Sequence, residues 1–295
     1  MQGYWPFVHF CFLKLAILNE ERQYYSEIKP KGKFGLNLRE LAEYKELFYF
    51  FTWRDIKVKY RQTLLGFLWA VLQPLIMMVI FTFFMAKTMR VASDGMEYPV
   101  FAFSGLILWL LFSSGLTNAG NSMISNSQII KKIYFPRLVI PIASVLVSLF
   151  DFLVTIPVFV ILLIVLNQPV DVLSGLVFWP AGLLLTIIAT LGPGSLLAAL
   201  NVKYRDFRYV IPFLVQALLF LTPAIYPITI LKNHWLQYLL AVNPMYAAIT
   251  VFRLPMTQAA PDVGLILVSV ASGVFFLFAG LFYFTRTESY FADLT

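Results

Sequence analysis

Asp151 is the residue whose position first invites a chemical role. It is the one charged residue between Leu138 and Val170. An ionisable group in such a run is costly to bury and marks a functional site by default. It could relay a proton, or it could hydrogen-bond a neighbouring helix. Proton-coupled carriers usually need more than one such group, and Asp171, the next acid, falls at a helix junction where it costs little. Other chemistry is missing. Cys11 is the single cysteine, and His9 and His234 are the two histidines. Neither a disulfide nor a His/Cys metal cage is expected. No G-x-x-x-x-G-K-[ST] phosphate cradle occurs, and Gly192-Pro193-Gly194-Ser195 is followed by no lysine. A G-x-S-x-G elbow and an H-E-x-x-H pair are also missing. No catalytic residue, bound cofactor or metal is expected in this chain, and it is not expected to hydrolyse a nucleotide by itself.

The elements that would hold Asp151 follow from composition. Of 295 residues, 60% are hydrophobic and 13% charged, against roughly 25% charged in soluble domains. A soluble enzyme, a disordered chain and a disulfide scaffold are poor fits. A membrane helix needs ~20 mostly apolar residues at ~1.5 Å rise each. Runs with one charge or none predict six spans, at about 62–86, 99–117, 138–166, 172–200, 209–227 and 263–285. The runs are continuous, which excludes the alternating strands of a membrane barrel.

Orientation follows from lysine and arginine. With these spans, 18 of the 22 basic residues fall on the side of both termini and 4 on the other. The positive-inside rule then places both termini of a multi-pass membrane protein in the cytoplasm. The net charge of +7 suits anionic lipid headgroups and calls for no nucleic acid. Residues 1–36 form an extension and linker: 4–18 are apolar but short, do not read as a signal peptide, and are expected at the interface or loosely ordered. Residues 37–61, with Asn37 as cap, predict an amphipathic interfacial helix. Residues 286–295 form a cytoplasmic tail.

One segment, Arg54-Asp55-Ile56-Lys57-Val58-Lys59-Tyr60-Arg61-Gln62-Thr63-Leu64-Leu65-Gly66 with Leu68-Trp69-Ala70-Val71-Leu72-Gln73-Pro74, resembles the approach to the first span of type-2 ABC exporter permeases. The resemblance is closest to the branch exporting polysaccharides and polyol phosphates. Lys131-Lys132-Ile133-Tyr134-Phe135-Pro136-Arg137 agrees with it. So does Asn201-Val202-Lys203-Tyr204-Arg205-Asp206-Phe207-Arg208, followed by Leu221-Thr222-Pro223-Ala224-Ile225-Tyr226-Pro227. It covers roughly residues 37 to 285. It implies a half-transporter: a homodimer working with two copies of a separate ABC ATPase that holds ATP and Mg. The implied cargo is a lipid-linked glycan such as an O-antigen, a capsule or a teichoic-acid-like polymer. It also implies short re-entrant helices before the last span.

The resemblance places the ATPase contact in the loop from Asn118 to Arg137. Gln128, Lys131, Lys132, Tyr134, Phe135 and Arg137 are the candidate coupling residues; otherwise the loop is a solvated basic rim. Lys57, Lys59, Arg61, Lys203, Arg205 and Arg208 are candidates to receive a lipid phosphate, or they serve topology and anionic-lipid contact. Trp69, Gln73, Met77, Phe81 and Phe84 recur at helical spacing and would line a sugar channel, or else meet lipid and neighbouring helices. Export of a drug or ordinary lipid, an ion-coupled carrier using Asp151, and a membrane enzyme of glycan assembly are the competing functions. The overall expectation is an all-α integral membrane protein.

Overall fold

The computed structural model describes residues 38–61, 63, 66–88, 93–257, 259–288 and 291. The apolar segment at 4–18, the linker and the expected cap Asn37 lie outside them. Every regular element among the described residues is helical. The first are α1 (Leu38–Glu43) and α2 (Lys45–Tyr60), separated at Tyr44. Next come α3 (Leu68–Phe81), which runs into π-helix over Thr82–Thr88, α4 (Tyr98–Ser125) and α5 (Ser127–Ile130). Then follow α6 (Val139–Val165), α7 (Val172–Lys203) and α8 (Phe207–Leu221). The last are α9 (His234–Ala241), α10 (Met245–Arg253) and α11 (Val263–Thr287).

Among the described residues, five stretches are long and apolar enough to cross a bilayer: Leu68–Ala86, α4, α6, α7 and α11. The pair α9–α10 is bent by 101°, the form of a broken span or re-entrant loop. The molecule is an all-α multi-pass membrane protein. Its fifth expected span, drawn at about 209–227, is helical only to Leu221. At ~1.5 Å per residue, α8 reaches about 22 Å, short of a ~30 Å hydrocarbon core. The cause is local. Thr222 precedes Pro223 and takes an extended conformation, because the proline ring disfavours helical geometry in the residue before it.

Helix α4 is the axis of the bundle, with twenty of its 28 residues buried. It packs along α6 and α7 and also touches α3, α8 and α10. The expected loop from Asn118 is helical as far as Ser125. Asn121 and Ser125 donate to the carbonyls of Thr117 and Asn121 at 3.0 and 3.1 Å. Their polarity is therefore partly met inside the helix. Asn201 of α7 donates to Gly120 O and Asn121 Oδ1 at 2.9 and 3.0 Å, fastening this extension from the side.

The Gly192-Pro193-Gly194-Ser195 run marks a close helix crossing. A Cβ on Gly280 of α11 would lie 2.0 Å from the Gly192 carbonyl oxygen. Small residues allow such backbone approach where lipid supplies no hydrophobic drive.

One apolar cluster gathers Phe51, Phe135, Val139, Val202 and Phe284. It joins α2, the 131–138 loop, α6, α7 and α11 at the basic end of the bundle. At the other ends of α7 and α11, Asp171 caps Leu173 N and Asp262 caps Gly264 N and Leu265 N. These acids satisfy helix-terminal donors.

Candidate functional site

A cavity of about 390 Å³ opens between α2, α3, α4 and α6. Lys59 and Tyr60 come from α2, Trp69 and Gln73 from α3, Ser114, Thr117 and Asn118 from α4, and Asp151 and Thr155 from α6. The hydroxyl protons are spent on helix carbonyls. Ser114 donates to Leu110 O at 2.6 Å, Thr117 to Ser113 O at 2.8 Å and Thr155 to Asp151 O at 2.9 Å. Each hydroxyl oxygen retains lone pairs for an incoming donor. Trp69 stands exposed at the same cavity. Acceptors beside an indole suit a hydroxyl-rich ligand with apolar ring faces.

Asp151 is fully engaged. One carboxylate oxygen accepts from the Lys59 ammonium and the other from the Tyr60 hydroxyl. Burial, then the Asp151 contact, pushes the Tyr60 pKa well above the usual tyrosine range. The phenol therefore stays a donor. Asp151 thus ties α6 to the last two residues of α2. It is paired with a cation in this structure.

The channel stripe is only partly brought together. Trp69 and Gln73 line the cavity. Met77 and Phe81 pack against the main apolar core. Phe84 is exposed elsewhere. The reason is the π-helix that begins at Thr82. Its i→i+5 bonding widens the turn, so a spacing of three no longer keeps Phe84 on the face of Phe81.

The coupling residues divide into two groups. Gln128, Lys131, Lys132 and Tyr134 are exposed, with Ile133 beside them. Phe135 is 3% exposed, its ring 5.6 Å from that of Phe51. Arg137 donates its backbone N–H to Glu288 Oε1 at 3.1 Å and its guanidinium to the Glu288 carbonyl. The outward knob is therefore Ile133 and Tyr134. Phe135 and Arg137 fasten the loop from within.

The six basic candidates occupy two places. Lys57, Lys59 and Arg61 lie at the end of α2, with Lys57 over the Trp53 ring at 5.1 Å. Lys203, Arg205 and Arg208 surround the α7–α8 turn, where Arg205 and Arg208 line a second cleft of about 410 Å³ beside Ser127 and Asn201.

Two residues escaped sequence reasoning. Arg54 reaches Asn126 Oδ1 at 2.6 Å, joining α2 to the α4–α5 junction. Arg253 is one of the four basic residues counted on the side away from the termini, yet it is buried in the bundle. It donates to Phe101 O at 2.7 Å, Ala224 O at 2.6 Å, Pro223 O at 3.3 Å and Ser104 Oγ at 3.2 Å. Its guanidinium lies 3.6 Å from the Phe101 ring centroid. The carbonyls exposed by the early end of α8 are thus satisfied within the protein, as non-helical backbone at membrane depth requires. The signal for it was one arginine inside the apolar run Met245 to Met256.

Fold and site define a class: a helical membrane protein with a polar cavity walled on one side by α2 and a basic, knobbed loop at one end. The comparisons agree. Residues 46–257 match the ABC-2 type transporter family, and the chain belongs to it. It is 31% identical over 241 residues to the O-antigen export system permease protein RfbA of Klebsiella pneumoniae, covering 82% of this chain and 92% of that protein. It is 29% identical over 249 residues to RfbA of Myxococcus xanthus, covering 81% and 94%. To the polysialic acid transport protein KpsM of Escherichia coli it is 27% identical over 212 residues, covering 68% and 77%. A place in this family makes the chain a transporter component, which replaces the ion-coupled carrier and the glycan-assembly enzyme as readings.

Proposed function

We propose that this chain is the membrane-spanning permease of an ATP-driven exporter that moves a lipid-linked polysaccharide, such as an O-antigen, capsule or teichoic-acid-like polymer, out across the cytoplasmic membrane. The observation that carries this reading is near full-length similarity to permeases named for O-antigen export, joined to a cavity built from hydrogen-bond acceptors and an indole. Two copies of the chain form the pathway, each giving one wall. The outward face of α3, with Ile76 and Val79 exposed, and Phe83 in the π-helix beyond it are placed to meet a second copy or lipid. Two separate ABC ATPase subunits bind ATP and Mg and seat on the knob of Ile133 and Tyr134, with Gln128, Lys131 and Lys132 around it. A short apolar anchor in a charged rim suits a groove on such a partner. The 18-to-4 asymmetry of basic residues supports a cytoplasmic location for the basic end and both termini. There Lys57, Arg61, Arg205 and Arg208 face phosphate-bearing lipid.

The test is co-purification of the tagged chain from cells that express its neighbouring genes, with ATPase activity and surface glycan measured together. A co-eluting ATPase and loss of surface glycan on deletion are expected. Tyr134→Ala should leave the chain folded and inserted while cutting export at least tenfold. Elution without an ATPase would reject the reading. Unchanged surface glycan after deletion, with an ATPase still bound, would move the cargo to a drug or ordinary lipid.

A further inference from the structure

The pairing of Asp151 sits at the junction of two regions that must communicate. Its two donors, Lys59 and Tyr60, are the final residues of α2 and line the cavity. The same helix is gripped earlier by the knobbed loop. Phe51 packs on Phe135 with ring centroids 5.6 Å apart, and Arg54 donates to Asn126 at 2.6 Å. Arg54 and Lys59 are five residues apart on one continuous helix, about 7.5 Å along its axis. One rigid piece therefore connects the cavity to the 126–135 loop.

The ion pair is also placed for exchange. The Lys59 side chain is 41% exposed and that of Asp151 17%, so the ammonium is open to an anion arriving from the cavity mouth. Lysine is a compact charge with three rotatable donors. It can grip a new oxyanion before releasing the old one. Lys57 and Arg61, both exposed, add attraction for negative charge at the same helix end.

We propose that Asp151 is a resident anion that a phosphate group, lipid-borne or free, displaces from Lys59, releasing the end of α2 from α6 and passing that release along α2 to the 126–135 loop. A phosphate monoester carries up to two charges and three acceptor oxygens, against one charge and two oxygens on Asp151. Tyr60, still protonated, is a second donor that can follow Lys59 to the new oxyanion. Anion binding and the position of α2 are then linked reciprocally: whatever moves the loop also changes the hold on the phosphate. In the export function proposed above, on which the meaning of this signal rests, the arriving headgroup would announce itself to the ATPase.

The exchange is testable without ATPase or glycan. The full chain, with Cys11→Ser, is spin-labelled at Val58→Cys on α2 and Leu153→Cys on α6, both exposed sites, and placed in phosphatidylcholine nanodiscs. The 58–153 distance is measured by electron paramagnetic resonance with phosphatidic acid, inorganic phosphate or diacylglycerol added. Phosphatidic acid should lengthen or broaden the distance and diacylglycerol should not. A matching response to inorganic phosphate supports the exchange and assigns it to free phosphate. Asp151→Asn should show the long distance without ligand, and Lys59→Gln should show no response to phosphate. No change with either phosphate source, or an equal response in Lys59→Gln, overturns the proposal. An intact phosphate response in a chain that binds no ATPase would reject the export reading and keep the exchange.

Discussion

Arg253 and Lys59 are both cations in a largely apolar chain, and they are held in contrasting ways. Arg253 is 7% exposed and meets three carbonyls, a hydroxyl and an aromatic face. The Lys59 side chain is 41% exposed and meets one carboxylate and, at 5.5 Å, the face of the neighbouring Tyr60 ring. The guanidinium is a planar fork of five donors that suits several fixed acceptors at once. Two of its acceptors, the carbonyls of Pro223 and Ala224, belong to the backbone past the break after Leu221, and the other two, Phe101 O and Ser104 Oγ, belong to α4. Arg253 is therefore committed by geometry, and no single competitor can replace its partners. Lys59 is held chiefly by one carboxylate, and a stronger anion competes for it. A membrane transporter needs both kinds of hold: one that keeps a broken helix intact while the molecule moves, and one that lets go.

The largest effect expected from this contrast is at the Arg253 node. Arg253→Met leaves the carbonyls of Pro223 and Ala224 buried without that donor, while Phe101 O keeps the Ser104 hydroxyl. Each lost partner costs roughly 1–3 kcal/mol, so several kcal/mol of stability should disappear. Thermal unfolding in detergent and the yield of folded chain would both fall. Gly105→Ala should act on the same node, because a Cβ there would lie 2.3 Å from Ala224 O and 2.5 Å from Arg253 Nη2. If Arg253→Met unfolds no earlier than Lys59→Gln, the contrast between the two cations is wrong.

A smaller contrast lies within one loop. Phe135 and Tyr134 are adjacent aromatics, 3% and 57% exposed. Truncating a buried phenylalanine typically costs ~3–5 kcal/mol, whereas exposed substitutions usually stay within about 0.5 kcal/mol. Phe135→Ala should lower the melting temperature and loosen α2. Tyr134→Ala should leave melting unchanged and strike only export and partner binding. Equal melting losses would mean that both rings serve packing and that the knob is not an outward contact.

These differences show what the sequence could convey. The spans were legible because continuous apolar runs have few alternatives, and the early end of α8 was written in Thr222-Pro223. The knobbed loop was legible as a basic, aromatic segment, but not which ring points outward, since that depends on where Phe51 arrives from 84 positions earlier. Arg253 was counted only in the charge balance because its partners are carbonyls up to 152 residues away, and every residue type carries a carbonyl. The length of α4 was underestimated because polarity was equated with exposure. Asn121 and Ser125 meet part of their polarity within the helix itself. Asp151 was recognised as unusual, yet its partner lay in a helix expected to rest on the membrane surface.

Of the two cation nodes, that last pair should carry the smaller stability effect, and its smallness separates a latch from a staple. Exposed ion pairs contribute about 0–1 kcal/mol, and Lys59 is open enough for solvent to weaken the attraction further. Asp151→Asn keeps an acceptor for Tyr60 and removes only the charge. Its melting temperature should fall slightly at low salt, and the difference from the native chain should shrink as salt approaches ~1 M, where the screening length is about 3 Å. Lys59→Gln should behave alike, and the double variant should lose no more than either single one, because both remove the same interaction. A loss comparable to that of Arg253→Met would make the pair a structural anchor. Such a pair would hold too firmly to be exchanged, and movement of α2 would then need another trigger.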